Sequence, residues 1–186
     1  TTEIYTLSLH DALPISFGKV VLRPPEPSDL DLLYTWENDT SLWEISNTHA
    51  PFSRQVLARY LENAGRDLYE QKQVRLIIQE ESGRAVGAAD LFDIDLFHQR
   101  AGVGIMVHLR EDRHLGYASD ALKVLDQYAL EGIGLRQLYA AVAEDNTPSL
   151  GLFQKAGYEC TGIRKKWLHT LYGWKDEWFF QKILSG

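Results

Sequence analysis

Val103-Gly104-Ile105-Met106-Val107, followed by Arg113-His114-Leu115-Gly116-Tyr117-Ala118 and then Ser119-Asp120-Ala121-Leu122-Lys123-Val124-Leu125, decides how this chain folds. The first run is apolar and short, as a buried strand is. The last has apolar residues at helical spacing. Between them lies a short loop with a glycine. A strand, a glycine-bearing loop and a helix start together aim backbone N–H groups at one point. That end of a helix carries about half a positive charge and up to four unpaired donors. The arrangement predicts a ligand bearing phosphate or pyrophosphate.

Working outward, the period of apolar residues predicts the other elements. Lys19–Arg23 reads as a strand stopped by Pro24-Pro25, and Pro27-Ser28-Asp29 opens a helix with Leu30, Leu33, Tyr34 and Trp36 on one side. A second helix is expected over Ser53–Ala64, capped by Ser53. Strands are expected at Val74–Ile78, Ala85–Phe92 and Ala101–His108, with connections short enough for an antiparallel meander. The central helix runs from Tyr117 to about Glu131 and is ended by Gly132 and Gly134. Leu138–Val142 is a buried strand, Thr147–Ala156 a short helix closed by Gly157, and Lys165–Thr170 and Glu177–Ile183 are two last strands. The step from Ala101 to Val142 needs a crossover, so those strands are parallel or separated by a neighbour.

This order predicts an α/β (α+β) fold. Its mixed central sheet has about seven strands, is antiparallel in its N-terminal part and is flanked by about four helices. Residues 17–186 form a single domain in this reading. Residues 1–16, TTEIYTLSLHDALPIS, lack the basic start of a signal peptide and fit poorly onto the strand that begins at Lys19. They resemble a translated adaptor sequence and are expected to be a non-native or disordered leader.

The chain has 186 residues, is 45% hydrophobic and carries a formal net charge of −7. That is a globular composition, and its acidity argues against nucleic acid as a partner while mildly favouring a cationic substrate. No apolar run approaches the ~18 residues of a membrane span. The single cysteine, Cys160, allows no intrachain disulfide, suggests no metal site and fits a reducing, cytoplasmic compartment. Homo-oligomerisation stays open.

Two segments carry a resemblance. Arg113-x-x-Gly116-x-Ala118 resembles the pyrophosphate loop of the GNAT superfamily of N-acetyltransferases. Asn146-Thr147-Pro148-Ser149-Leu150, with Phe153-Gln154-Lys155-Ala156-Gly157-Tyr158, resembles that superfamily's second signature. The opening Leu22-Arg23-Pro24 and the late Tyr172-Gly173-Trp174-Lys175-Asp176 turn are similar to the subgroup holding ribosomal-protein-alanine and spermidine acetyltransferases. The resemblance spans residues 19–184. It implies acetyl-CoA as co-substrate, with no metal. Arg113, His114, Leu115, Gly116, Tyr117, Ala118 and Ser119 would hold the pyrophosphate. Met106 or Val107 would offer an amide to the thioester carbonyl from a strand that carries a bulge, and Gly102 and Gly104 suit a bulge or close backbone approach. Asn146 and Phe153 would flank the pantetheine. Ser149 would assist the thiolate. Bland alternatives stand beside these roles. Asn146 and Ser149 suit a helix cap and first turn, and Gly116 an ordinary loop.

Two departures matter. Phe153 stands where many members have a general-acid tyrosine, so that role falls vacant or moves to Ser149, Tyr158 or water. The subgroup's Arg-Ala-Glu step is Arg100-Ala101-Gly102 here, without its carboxylate. A protonated amine still needs a base. Asp90 and Asp93 are the candidates, with Asp95 and His98 nearby, though a solvated strand-end cluster has the same appearance. Trp36, Trp43 and Tyr69 either line an acceptor pocket or belong to the core. The leading expectation is an N-acetyltransferase that passes acetyl from acetyl-CoA directly to a primary amine. A small amine or polyamine is favoured and a protein N-terminus is the alternative. A non-catalytic CoA-binding module and a protein without a cofactor are the competing readings.

Overall fold

The structure is a computed structural model that describes residues 15–46, 48–64 and 68–185. Eight strands form one sheet: β1 (Ile15–Phe17), β2 (Val20–Arg23), β3 (Val74–Glu80), β4 (Ala85–Asp95), β5 (Arg100–Val107), β6 (Gln137–Ala143), β7 (Glu159–Thr170) and β8 (Gly173–Ile183). Their spatial order is β1-β2-β3-β4-β5-β6-β8-β7. Helices α1 (Leu30–Glu37), α3 (Arg54–Asn63), α5 (Tyr117–Gln127) and α6 (Thr147–Lys155) are the longer ones, and α2 (Trp43–Ser46) and α4 (Leu68–Gln71) are single turns.

The sheet separates two apolar layers. On one face Ala121, Leu122, Val124 and Leu125 of α5 and Phe153 of α6 pack on Leu76, Ala89, Leu91, Ala101, Val103, Leu138 and Phe180. On the other face Leu33 and Trp36 of α1 and Leu57 and Leu61 of α3 pack on Ile77 and Ala88. Period-two alternation along β3 and β4 supplies both sets from the same strands.

The antiparallel meander is present, with β3 and β4 longer than the sequence pattern predicts and β5 shifted by one residue. β7 starts at Glu159 rather than Lys165, because it is an edge strand whose exposed polar residues carry no alternation signal. The extra strand is β1. Ile15 and Ser16, which fall within the expected leader, pair with Leu22 and Val21. The rest of that expected leader, 1–14, lies outside the described residues. The central helix is α-helical only to Gln127, then widens into a π turn over Tyr128–Ile133 that Gly134 closes at φ +82°.

The expected bulge is on the neighbouring strand. β5 pairs with β4 in unbroken register from Gly102 to Val107, and the shift falls between Phe92 and Asp95 of β4. Asp93 there has φ +49°.

β5 and β6 are parallel, and they pair only at Arg100↔Gln137, Ala101↔Leu138 and Gly102↔Tyr139. Beyond Gly102 the two strands part, while β6 stays paired with β8 along Gln137–Ala143. The sheet is therefore forked at Gly102 and Tyr139. The fork is what positions the site.

Candidate functional site

One side of the fork is a strand edge with free donors. The His108 amide donates to Val86 O at 3.0 Å, so it faces β4. Alternation then turns the amides of Ile105 and Val107 toward the gap and that of Met106 toward β4. Of the two residues expected to offer an amide, Val107 fits and Met106 does not. Met106 instead packs its side chain among Leu33, Trp36 and Ile77.

At the open end of the fork stands the N-terminus of α5. Gly116 occupies the cap position at φ +95° and makes no side-chain cap bond. Asp120 N returns to Gly116 O, leaving the amides of Tyr117, Ala118 and Ser119 without partners among the described residues. A Cβ placed on Gly116 would meet nothing within 4 Å. Gly116 therefore serves a left-handed turn beside open space, and an unsatisfied, electropositive helix end faces that space.

Arg113 holds this loop in place. Its Nε donates to Val107 O at 3.2 Å and its Nη2 to His108 O at 3.1 Å, tying the loop to the end of β5. His114 is exposed at φ +65°. The carbonyl of Leu115 accepts from Lys19 Nζ at 3.3 Å, which brings a cation to the loop. Sequence reasoning missed Lys19, since its distance from Leu115 in the chain hides the contact. Tyr117 turns away. Its hydroxyl donates to Glu80 Oε2 at 2.6 Å, inside a network where Arg84 also pairs with Glu80 and Asp112. The Arg84, Tyr117 and Ser82 hydrogen bonds hold the Glu80 carboxyl down to about 2.

The second signature is arranged as a helix start. Asn146 caps α6, its Oδ1 accepting from Ser149 N at 3.3 Å. That is the bland alternative for both residues. It leaves the Asn146 amide nitrogen and the Ser149 hydroxyl without partners among the described residues. Phe153 does not face the fork. It is 4% exposed and packs edge-on to Tyr158 and parallel to Phe180, because its position on α6 points at the core. Tyr158 is also removed as a general acid. Its hydroxyl donates to Asp126 Oδ1 at 2.9 Å, and burial together with that carboxylate pushes it far up.

On the α1/α3 face, Asp90 lies opposite Gly104, and a Cβ on Gly104 would sit 3.5 Å from Asp90 Cβ. Both Asp90 oxygens are taken by Arg75, through Nε at 2.7 Å and Nη2 at 3.0 Å, and Arg75 Nη1 also binds Glu37. Burial would lower the Arg75 guanidinium, and Asp90 and Glu37 more than offset it. Asp90 is thus a fixed counter-ion with few lone pairs left. Asp93 is different. It is exposed on the β4 bulge and accepts from the Tyr139 hydroxyl at 3.4 Å. Asp95 caps the turn by accepting from His98 N at 2.9 Å, and His98 is exposed there. Trp36 is core, and Trp43 donates to Glu37 O at 2.9 Å. The Tyr69 side chain lies outside the described residues.

The fork and the uncapped helix end fit the acetyl-CoA expectation. The profile described as acetyltransferase (GNAT) domain matches residues 19–159. The chain belongs to the GNAT acetyltransferase family. It is an acetyl-CoA-dependent acyltransferase. An uncharacterised N-acetyltransferase p20 of Bacillus licheniformis is 27% identical over 147 residues, covering 78% of this chain and 82% of that protein. An N-acetyltransferase 9-like protein of Caenorhabditis briggsae is 22% identical, covering 80% and 78%. The fold is shared with a spermidine N-acetyltransferase from Vibrio cholerae solved with CoA and spermine, at TM-score 0.80 and 17% identity over 89% of this chain and 96% of that one. A GNAT-family acetyltransferase from Bacillus anthracis overlays at TM-score 0.74 and 17% identity over 92% and 98%.

Proposed function

We propose that this enzyme transfers the acetyl group of acetyl-CoA to a primary amine by direct attack, with a small amine or polyamine as acceptor. The observation that carries this reading is the fork at Gly102 and Tyr139, with the uncapped end of α5 beside it. In this arrangement the amides of Tyr117, Ala118 and Ser119 take the pyrophosphate. The open edge of β5 takes the pantetheine arm, with Asn146 Nδ2 as a second donor. The Val107 or Ile105 amide holds the thioester oxygen as it gains charge.

The acceptor enters as an ammonium and must lose a proton to become a nucleophile. Asp93 serves as that base through intervening water, because Asp90 is committed to Arg75 and Asp93 lies beside Gly102, about 10 Å along the strand from Ile105. The neutral nitrogen forms a bond to the thioester carbon. Collapse breaks the C–S bond, and the second proton of the nitrogen reaches the thiolate with help from the Ser149 hydroxyl. Asp90, Arg75 and Glu37 carry one excess negative charge beside the fork, which favours a cationic acceptor. CoA release across a panel of monoamines, diamines, polyamines and an N-terminal peptide tests the reading. Release with small amines and not with peptide is expected, and release with no amine contradicts it.

A further inference from the structure

At the fork the phenol and the carboxylate come from different strands. Tyr139 is the last residue of β6 to pair with β5. Its partner Gly102 lies beneath the Phe92 ring, so that a Cβ on Gly102 would come within 2.3 Å of Phe92 Cε2. A side chain on Gly102 would therefore displace the Phe92 ring. The bulge of β4 places Asp93 immediately after Phe92, and its left-handed backbone, sparsely populated by non-glycine residues, swings the carboxylate toward β6. The Tyr139 ring is fixed from two sides, edge-on to Phe92 at 6.1 Å and stacked on Phe179 at 5.4 Å between centroids. Its hydroxyl donates to Asp93 Oδ2 at 3.4 Å. Burial and the nearby Asp93 charge raise Tyr139, which keeps it a donor at neutral pH.

We propose that Tyr139 is a positioning residue of the acceptor site, its phenol holding the exposed Asp93 carboxylate over the fork where the amine approaches. This rests on the amine-acetyltransferase reading above. A ring locked by two neighbours fixes its hydroxyl, and a fixed hydroxyl restricts a carboxylate that solvent would otherwise let rotate.

Tyr139→Phe removes the hydroxyl and keeps both ring contacts, so it tests the role without opening the sheet. With wild type active on an amine, Tyr139→Phe is expected to lower kcat/KM for that amine about five- to tenfold. The KM for acetyl-CoA and the melting midpoint should stay unchanged. Asp93→Asn alone should lower turnover, and adding Tyr139→Phe to it should cost little more, because the two act as one unit. An active wild type whose kcat/KM for the amine ignores Tyr139→Phe overturns the inference. So do losses in the two variants that simply multiply. A wild type inactive on every amine overturns the underlying reading and takes this inference with it.

Discussion

Gly116 makes a left-handed turn beside open space, and the proposal puts the ligand in that space. Its φ of +95° costs any L side chain about 1–2 kcal/mol, while a Cβ built there meets nothing within 4 Å among the described residues. Gly116→Val should therefore lower stability by that modest amount and weaken CoA binding at least tenfold, since the branched side chain enters the ligand's space. Calorimetric CoA titration beside urea unfolding checks this, and a stability loss with intact CoA affinity would assign Gly116 to the turn alone. Phe153 is the opposite case. It stands at the expected place for a proton donor, yet it is core. Phe153→Tyr should bring no gain in turnover and should destabilise by about 1–3 kcal/mol, because the new hydroxyl has no partner between Tyr158 and Phe180. A faster enzyme would show that the side chain reaches the fork. The sequence made Gly116 legible because a glycine at a helix start has few other uses. It concealed the burial of Phe153, since a motif position says nothing about which way a side chain points.

At the scale of elements, the helix starts were readable and the fork was not. Ser53 caps α3 through Val56 N and Asn146 caps α6 through Ser149 N, both as residue type predicts. Where β5 and β6 part depends on pairing between strands far apart in the chain, and alternation within one strand carries no such information. The same reason hid Arg75, which joins Asp90 on the adjacent strand to Glu37 on α1. Of the two readings of the β5 glycines, close approach holds at Gly102, which meets the Phe92 ring, while the register shift lies on β4. The α6 cap is separable from a ligand role. Asn146→Ala should cost about 1 kcal/mol of stability and raise the KM for acetyl-CoA. Asn146→Ser should restore stability alone if the free amide nitrogen contacts the pantetheine. Full recovery of both in Asn146→Ser would leave Asn146 as a cap only.

Over the whole molecule, the ion network of Arg84, Glu80 and Asp112 ties the β3–β4 turn to the segment before α5. Hydrogen bonds from Arg84, Tyr117 and Ser82 hold Glu80 at about 2, and the Arg84 hydrogen bonds lower Asp112 as well. Folded values below unfolded ones mean that the stabilisation is full above the ordinary carboxylate range, about 4, and is lost as pH falls toward 2. Arg84→Met removes the shared partner, so its acid unfolding, followed by circular dichroism, should begin at higher pH than in wild type. Coincident acid transitions would contradict that. The chain's acidity, −7 overall, accords with a cationic acceptor without choosing one. The central proposal is direct transfer of acetyl from acetyl-CoA to an amine at the fork, with Asp93 as the base. Its most direct measurement is thiol release from acetyl-CoA with a small primary amine, comparing wild type with Asp93→Asn at matched folding. Amine-dependent release is expected, falling at least tenfold in Asp93→Asn while CoA affinity holds. Equal turnover in the two proteins, or no amine-dependent release in wild type, would contradict it.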